Sequence, residues 1–221
     1  TTNFMVMTRF NQLDYWRWAQ EVDVVLTDYY PEFADPLSHV EAALSADLAR
    51  GIAGGGSWLL METSPSAVNW QPRNPAKKPG ALRRDAIQQV ARGADGFNVF
   101  QVRASLVGAE KFHSGLIPHA GTDTRLWREA VDLGSLLGRL GEVAGSRVES
   151  EVAMIWDYDA WWACDLDSHP SVDVSYPDRA RALHRALWDL GVTVDFVALT
   201  SAAPSPALGP GLHCGTSSGA G

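Results

Sequence analysis

Cysteine is scarce in this chain. It has two, Cys164 and Cys214, and no Cys-x-x-Cys spacing. That excludes a disulfide framework and a structural zinc site of familiar spacing. No apolar run is long enough to cross a bilayer. The opening stretch TTNFMVMTRF has no basic region followed by an apolar segment, so no secretory leader is read there. The expected setting is cytoplasmic and reducing. Long basic runs are also missing. With 18 Lys and Arg against 26 Asp and Glu, the formal charge is −8, and neither nucleic acid nor an anionic membrane is an expected partner. No internal repeat of fixed period is visible.

Tryptophan, in contrast, is plentiful. Nine Trp in 221 residues are more than packing alone asks for, and Trp is favoured where a flat ring meets a ligand or partner. Sugars present such flat apolar faces. The remaining composition, 46% apolar and 20% charged, is that of an ordinary globular chain, long enough to bury a sizeable core.

Apolar runs alternate with helical patterns. TNFMVM (2–7), DVVLTDYYP (23–31), WLLMET (58–63) and GFNVFQVR (96–103) read as strands. DYWRWAQEV (14–22), SHVEAALSADLAR (38–50) and ALRRDAIQQVAR (81–92) read as helices. Ser38 and Glu41 have the spacing of a capping box. Nearly continuous apolar strands separated by helices predict a parallel sheet covered by helices. Each strand ends in polar residues: Asn3, Asp28, Glu62, Gln101 and Arg103. β/α barrels display their chemistry at such ends, and the pattern fits four strands of eight. After a helix at 123–143 a second βα pattern begins. EVAMIWDYD is read as a strand, 178–190 as a helix and VTVDFV as a strand. The expected division is therefore 1–145 for half a barrel, 146–197 for the start of a separate α/β domain, and 198–221 for a Gly/Ala/Ser/Pro tail. That tail has too little apolar surface to offset its ordering entropy.

Glu62 is the leading chemical candidate. It follows Leu-Leu-Met and precedes a Trp-bearing loop, so partial desolvation should tune its carboxyl. A solvated strand-end carboxylate is the plainer alternative. Glu110 and His113 lie three apart in a Gly-rich loop, and His119 follows. Metal ligation, solvation and hydrogen bonding to a polyhydroxylated ligand are all open for them. WDYDAWWACD (156–165) is read as a structural or subunit-interface cluster, NPAKKPG as a solvated lysine loop, and Cys164 as an unpaired thiol. His39, His169 and His184 are read as surface or packing residues.

The runs METSPSAVNWQPRNPAKKPGALR and ARGADGFNVFQVRASLVGAEKFHSGLIPHAGTD closely resemble the family-42 glycoside hydrolases, the bacterial beta-galactosidases. TTNFM, DYWRWAQEVDVVLTDYYP and VAMIWDYDAWWACDLDSHPS are similar to the same family, in order, over about residues 1–197. The resemblance implies α/β architecture: strands five to eight of a (β/α)8 TIM barrel, then the start of a flavodoxin-like α/β domain that helps assemble a homotrimer. It implies retaining hydrolysis of terminal β-D-galactosyl residues; no cofactor or metal is expected for this sequence, which lacks the Cys cluster that binds zinc in some members. By position, Glu62 matches the nucleophile on strand seven and Trp70 an aromatic wall of the galactose subsite. Phe100 matches the aromatic position on strand eight, Glu110 and His113 match holders of galactose hydroxyls, and Tyr30 a tyrosine near the nucleophile. The family text Gln-Trp-Arg at 101–103 is here Gln-Val-Arg. The family's acid/base is a Glu in an Asn-Glu pair on strand four, and no Asn-Glu pair exists in this sequence. The expectation is a beta-galactosidase fragment, inactive or nearly so alone. A non-catalytic carbohydrate-binding or assembly module is the alternative.

Overall fold

The computed structural model describes residues 3–169 and 171–199. Of the expected tail, positions 200–221, with Cys214, lie outside the described residues. Four strands form one parallel sheet in sequence order: β1 (Asn3–Phe4), β2 (Val25–Asp28), β3 (Trp58–Glu62) and β4 (Ala94–Phe97). Parallel neighbours need crossovers, because a tight turn cannot reverse the chain twice. Helix α1 (Tyr15–Ala19) lies between β1 and β2, α2 (Ser38–Ile52) between β2 and β3, and α3 (Ala81–Ala91) between β3 and β4. Helix α4 (Arg125–Arg139) follows β4. Asp14 starts α1 by accepting the N–H groups of Trp16 and Arg17, and Thr124 starts α4 by accepting that of Trp127, each satisfying donors that a helix start leaves free.

The expected capping box at Ser38 does not form. Leu37 occupies the cap position and Ser38 is already helical. Glu41 is engaged elsewhere: it accepts from Thr8 Oγ1 at 2.6 Å and pairs with Arg181 at 3.5 Å. Tertiary partners outcompete the local bond.

A second, two-stranded parallel sheet joins β5 (Val152–Ile155) to β6 (Val194–Val197), with helices α5 (Tyr158–Asp165) and α6 (Tyr176–Asp189) between them. The strand expected through WDYD stops at Ile155. Asp157 turns the chain instead, because its carboxylate accepts the N–H groups of Asp159 and Ala160 and caps α5.

The two sheets share one hydrophobic core. Phe4, Leu60, Leu44, Leu48, Trp156 and Phe196 belong to the same buried cluster. The Trp156 ring meets Tyr158, Trp161, Tyr176 and Phe196 edge-on at 5.5–6.2 Å. Of the 156–165 cluster, Trp156, Tyr158 and Trp161 pack in the core, whereas Asp159 and Asp165 are exposed. Helix α2 lies against β6 so closely that a Cβ at Gly51 would overlap the Phe196 carbonyl. Beside that contact sits a buried ionic network. Arg50 donates to Asp47 Oδ1 at 2.8 Å, to Asp195 Oδ1 at 2.8 Å and to the Arg92 carbonyl at 3.1 Å. Asp47 Oδ2 also meets His184 Nε2 at 2.9 Å and pairs with Arg92. Burial pushes the Asp47 carboxyl up. The His184 hydrogen bond and the charges of Arg92, Arg50 and His184 outweigh it and leave the group below the usual carboxylate range. His184 is thus a buried packing residue with an ionic partner.

The NPAKKPG loop is exposed, as expected, at positions 74–76 and 78–80 but not at Lys77. Lys77 is buried, 3.0 Å from Asp85 Oδ2 and 4.8 Å over the Phe33 ring. Desolvation pulls its ammonium down and Asp85 opposes that.

Candidate functional site

Asp28 ends β2 and Glu62 ends β3. Thr27 pairs with Leu60, but Asp28 pairs with Glu62, so the register steps over Met61. Such a bulge re-aims a side chain at a sheet end. Here it sets two carboxylates opposite each other, and the Tyr29 N–H donates to the Glu62 carbonyl at 2.9 Å. Asn3, at the start of β1, donates from Nδ2 to Asp28 Oδ2 at 3.0 Å. The Asp28 carboxyl is pushed up to about 6, by burial first and the charge of Glu62 in addition, with the Asn3 hydrogen bond opposing.

Four rings stand beside this acidic pair. Tyr30 meets Trp70 edge-on at 4.8 Å and His113 at 6.2 Å. Trp70 stacks on His113 at 5.3 Å, and Phe100 meets His113 edge-on at 5.1 Å. Tyr30 and His113 are buried, whereas Trp70 is 52% exposed and keeps ring surface open. The Tyr30 phenol is raised by burial, then by hydrogen bonding to Glu62, and then by the charges of Glu62, Asp28 and Glu110. Glu62, Trp70, Glu110, His113, Phe100 and Tyr30 therefore form one neighbourhood.

The loops that bring them together are tightly laced. Ser114 N donates to the Ala67 carbonyl at 2.9 Å and Ser66 N to Ser114 Oγ at 2.9 Å. Leu116 N donates to the Gln101 carbonyl at 2.9 Å and Ile117 N to that of Val102 at 2.7 Å. A Cβ at Gly115 would overlap the backbone of Arg103 and Ala104, so only glycine permits that approach. Val102, where the family's Trp would be, is exposed, so the missing ring is lost from the surface and not from the core.

Ten buried side-chain polar atoms among the described residues lack a hydrogen-bond partner, and six belong to Asp28, Ser64, Gln71, Gln101, Glu110 and His113. All six residues lie at or after the C-terminal ends of β2, β3 and β4. Buried polar groups are nearly always paired, so the strand ends concentrate bonding capacity that the described residues leave unused. His113 Nδ1 faces the Ser114 carbonyl at 2.8 Å. With the proton assigned to Nδ1, the unpartnered Nε2 is an acceptor. His119 points away, with Nε2 2.7 Å from the Ser105 carbonyl. Among the described residues no three His, Cys, Asp or Glu converge on a metal-sized site, and no helix is long and apolar enough to cross a membrane.

Sequence reasoning noted Asn3 and Asp28 as polar strand ends but assigned them no part in the site, and passed over Ser64 and Gln71. The strand-end rule that found Glu62 applies equally to Asp28, whereas Asn3 opens β1. Nothing in the local text marks Ser64 or Gln71.

A parallel β/α sheet carrying carboxylates and a cluster of rings at its C-terminal edge defines the class: part of a β/α-barrel protein. The family profile described as "Beta-galactosidase" (glycoside hydrolase family 42) matches residues 1–140, and that described as "Beta-galactosidase trimerisation domain" matches residues 150–203. The chain belongs to glycoside hydrolase family 42, the beta-galactosidases. A beta-galactosidase of Arthrobacter sp. is 55% identical over 197 residues, covering 89% of this chain and 28% of its own length. Beta-galactosidase BgaB of Geobacillus sp. is 41% identical over 198 residues, covering 89% and 29%. The crystal structure of beta-galactosidase from Bacillus circulans sp. alkalophilus superposes with a TM-score of 0.84 at 38% identity, covering 89% of this chain and 29% of that one. The chain thus spans 28–30% of the length of the first curated relatives it matches. Its sheets and helices correspond to part of a TIM barrel and an adjoining α/β segment.

Proposed function

We propose that this chain carries the nucleophile side of a retaining beta-galactosidase site, with Glu62 as the attacking group. The observation that carries the reading is the placement of Glu62 at the bulged end of β3, opposite Asp28 and beside the Tyr30–Trp70–His113–Phe100 rings. A Glu62 carboxylate oxygen forms a bond to the anomeric carbon of a terminal β-galactosyl residue as the bond to the leaving oxygen breaks, and the electron pair departs with that oxygen. Water then cleaves the glycosyl-enzyme. Trp70 offers its open face to the apolar face of the sugar. Glu110 and His113 Nε2 accept from sugar hydroxyls, and the Tyr30 hydroxyl donates to Glu62 and orients it.

A retaining mechanism needs a second carboxyl about 5 Å away to protonate the leaving oxygen. Asp28 is near, but it stands on the strand next to Glu62 and is held by Asn3, on the same side of the sugar as the nucleophile. The acid/base of the family has no counterpart in this sequence, so the 221-residue chain by itself is inactive or nearly so. Residues 1–145 form the barrel part, and 146–197 begin the domain through which the whole protein forms a homotrimer; the relatives' trimerisation domain supports this assignment.

The test is hydrolysis of a β-galactoside by the chain alone and by the chain joined to the preceding barrel segment of the Arthrobacter relative. Turnover by the joined protein only, lost in Glu62→Gln, is expected. Robust turnover by the chain alone overturns the inactivity. Turnover that survives Glu62→Gln overturns the nucleophile assignment.

A further inference from the structure

Asp28 is an ionisable site group that the mechanism above leaves without a task. Its carboxyl is 7% exposed, and Oδ2 is held by Asn3 while Oδ1 has no hydrogen-bond partner. The groups that face it come from four places: Asn3 on β1, Glu62 on β3, and the phenols of Tyr15 on α1 and Tyr30 just beyond β2, both of which sense its charge. None of these is a cation. A buried carboxylate set opposite a second carboxylate, with a single amide as its bonded support, is an arrangement that disfavours its ionised form. Packing does not call for it: an apolar residue could cover the same strand end, and the register bulge that aligns the pair would serve no purpose. The lone Asn3 bond also fixes which oxygen is occupied and leaves Oδ1 free to carry a proton.

We propose that Asp28 is a positioning residue for Glu62: the two strand-end carboxyls face each other across the bulge, Asp28 carries its own proton on the free Oδ1 at low pH, and its ionised form adds negative charge on the side where the anomeric carbon becomes positive. The inference rests on the nucleophile reading of Glu62. At pH values below its titration, Asp28 is neutral and Glu62 faces no second charge. Above it, the added charge stabilises the oxocarbenium-like transition state electrostatically. Asp28 thereby ties the rate of attack to pH without touching the sugar.

The experiment is a carboxyl-detected NMR titration of the 221-residue chain and its Glu62→Gln and Asp28→Asn variants. Asp28 is expected to titrate near pH 6 and to move to lower pH in Glu62→Gln. Asp28→Asn, which keeps an oxygen for Asn3, removes the titrating signal and so assigns it to Asp28. An Asp28 midpoint near 4 in the parent chain, or one that Glu62→Gln leaves in place, overturns the pair. The outcome is separable from the nucleophile reading. If Glu62→Gln abolishes turnover in the joined protein while Asp28 does not respond, only the pair fails. If Asp28 responds but turnover survives, only the nucleophile fails.

Discussion

Asp28 and Asp47 are both buried carboxylates, and their surroundings are opposite. Asp47 sits among Arg50, Arg92 and His184, and its ionised form is favoured despite burial. Asp28 has one amide and a facing carboxylate, and its ionised form is disfavoured. The Asp47 region joins the barrel helix α2 to β6 and α6, where the fold profits from a fixed answer. The Asp28 region lies at the open strand ends, where unpaired polar atoms accumulate. A network with nearly every partner present holds structure, and one left incomplete waits for a ligand.

The sharpest way to break the comparison is to remove one member of each. Asp47→Ala removes the carboxylate that Arg50, Arg92 and His184 share, with Asp195 left as the partner of Arg50, and should destabilise the fold by about 2–4 kcal/mol, read as a lowered urea midpoint with an unchanged slope. Loss below about 1 kcal/mol would show that the network is not a stabilising element. Trp70→Ala should weaken galactose binding by about tenfold, for loss of one stacked face, with little change in unfolding. Calorimetry on the joined protein checks this. Asp28→Asn should alter stability by less than about 1 kcal/mol and in the favourable direction near pH 8, because it removes a charge that the fold disfavours.

The pH dependence of unfolding separates the two residues by sign. An acid whose folded-state value is raised binds its proton more tightly folded than unfolded. Asp28 therefore contributes stability that is present below about 4, the unfolded value, and lost as pH rises through about 6. Asp47 is depressed, so its contribution is present above about 4 and lost as pH falls through its folded-state value. Stability should rise on acidification from 7 toward 5 and fall below 4. Asp28→Asn should flatten the upper limb alone.

The sequence made the strand-end carboxylate legible, because an apolar run closing on Glu62 before a loop is a local signal. The rings at Trp70 and Phe100 were legible through family motifs that are continuous in the text. Three features were not. The Ser38 capping box lost Glu41 to Thr8 and Arg181, the latter 140 residues away. Lys77 was drawn inward by Asp85 and Phe33. WDYD left the strand because Asp157 found backbone donors ahead of it. Each answer depends on a competing partner that local pattern does not weigh. The pairing of Asp28 with Glu62 was hidden for a related reason: it depends on the bulge at Met61, and register is a property of two strands.

The most direct measurement is covalent trapping. The joined protein is incubated with 2,4-dinitrophenyl 2-deoxy-2-fluoro-β-D-galactoside, whose leaving group needs no acid catalyst, and the labelled peptide is identified by mass spectrometry. The account predicts a fluorogalactosyl ester on Glu62, absent in Glu62→Gln. A label on Asp28, Glu110 or any other carboxylate would contradict it.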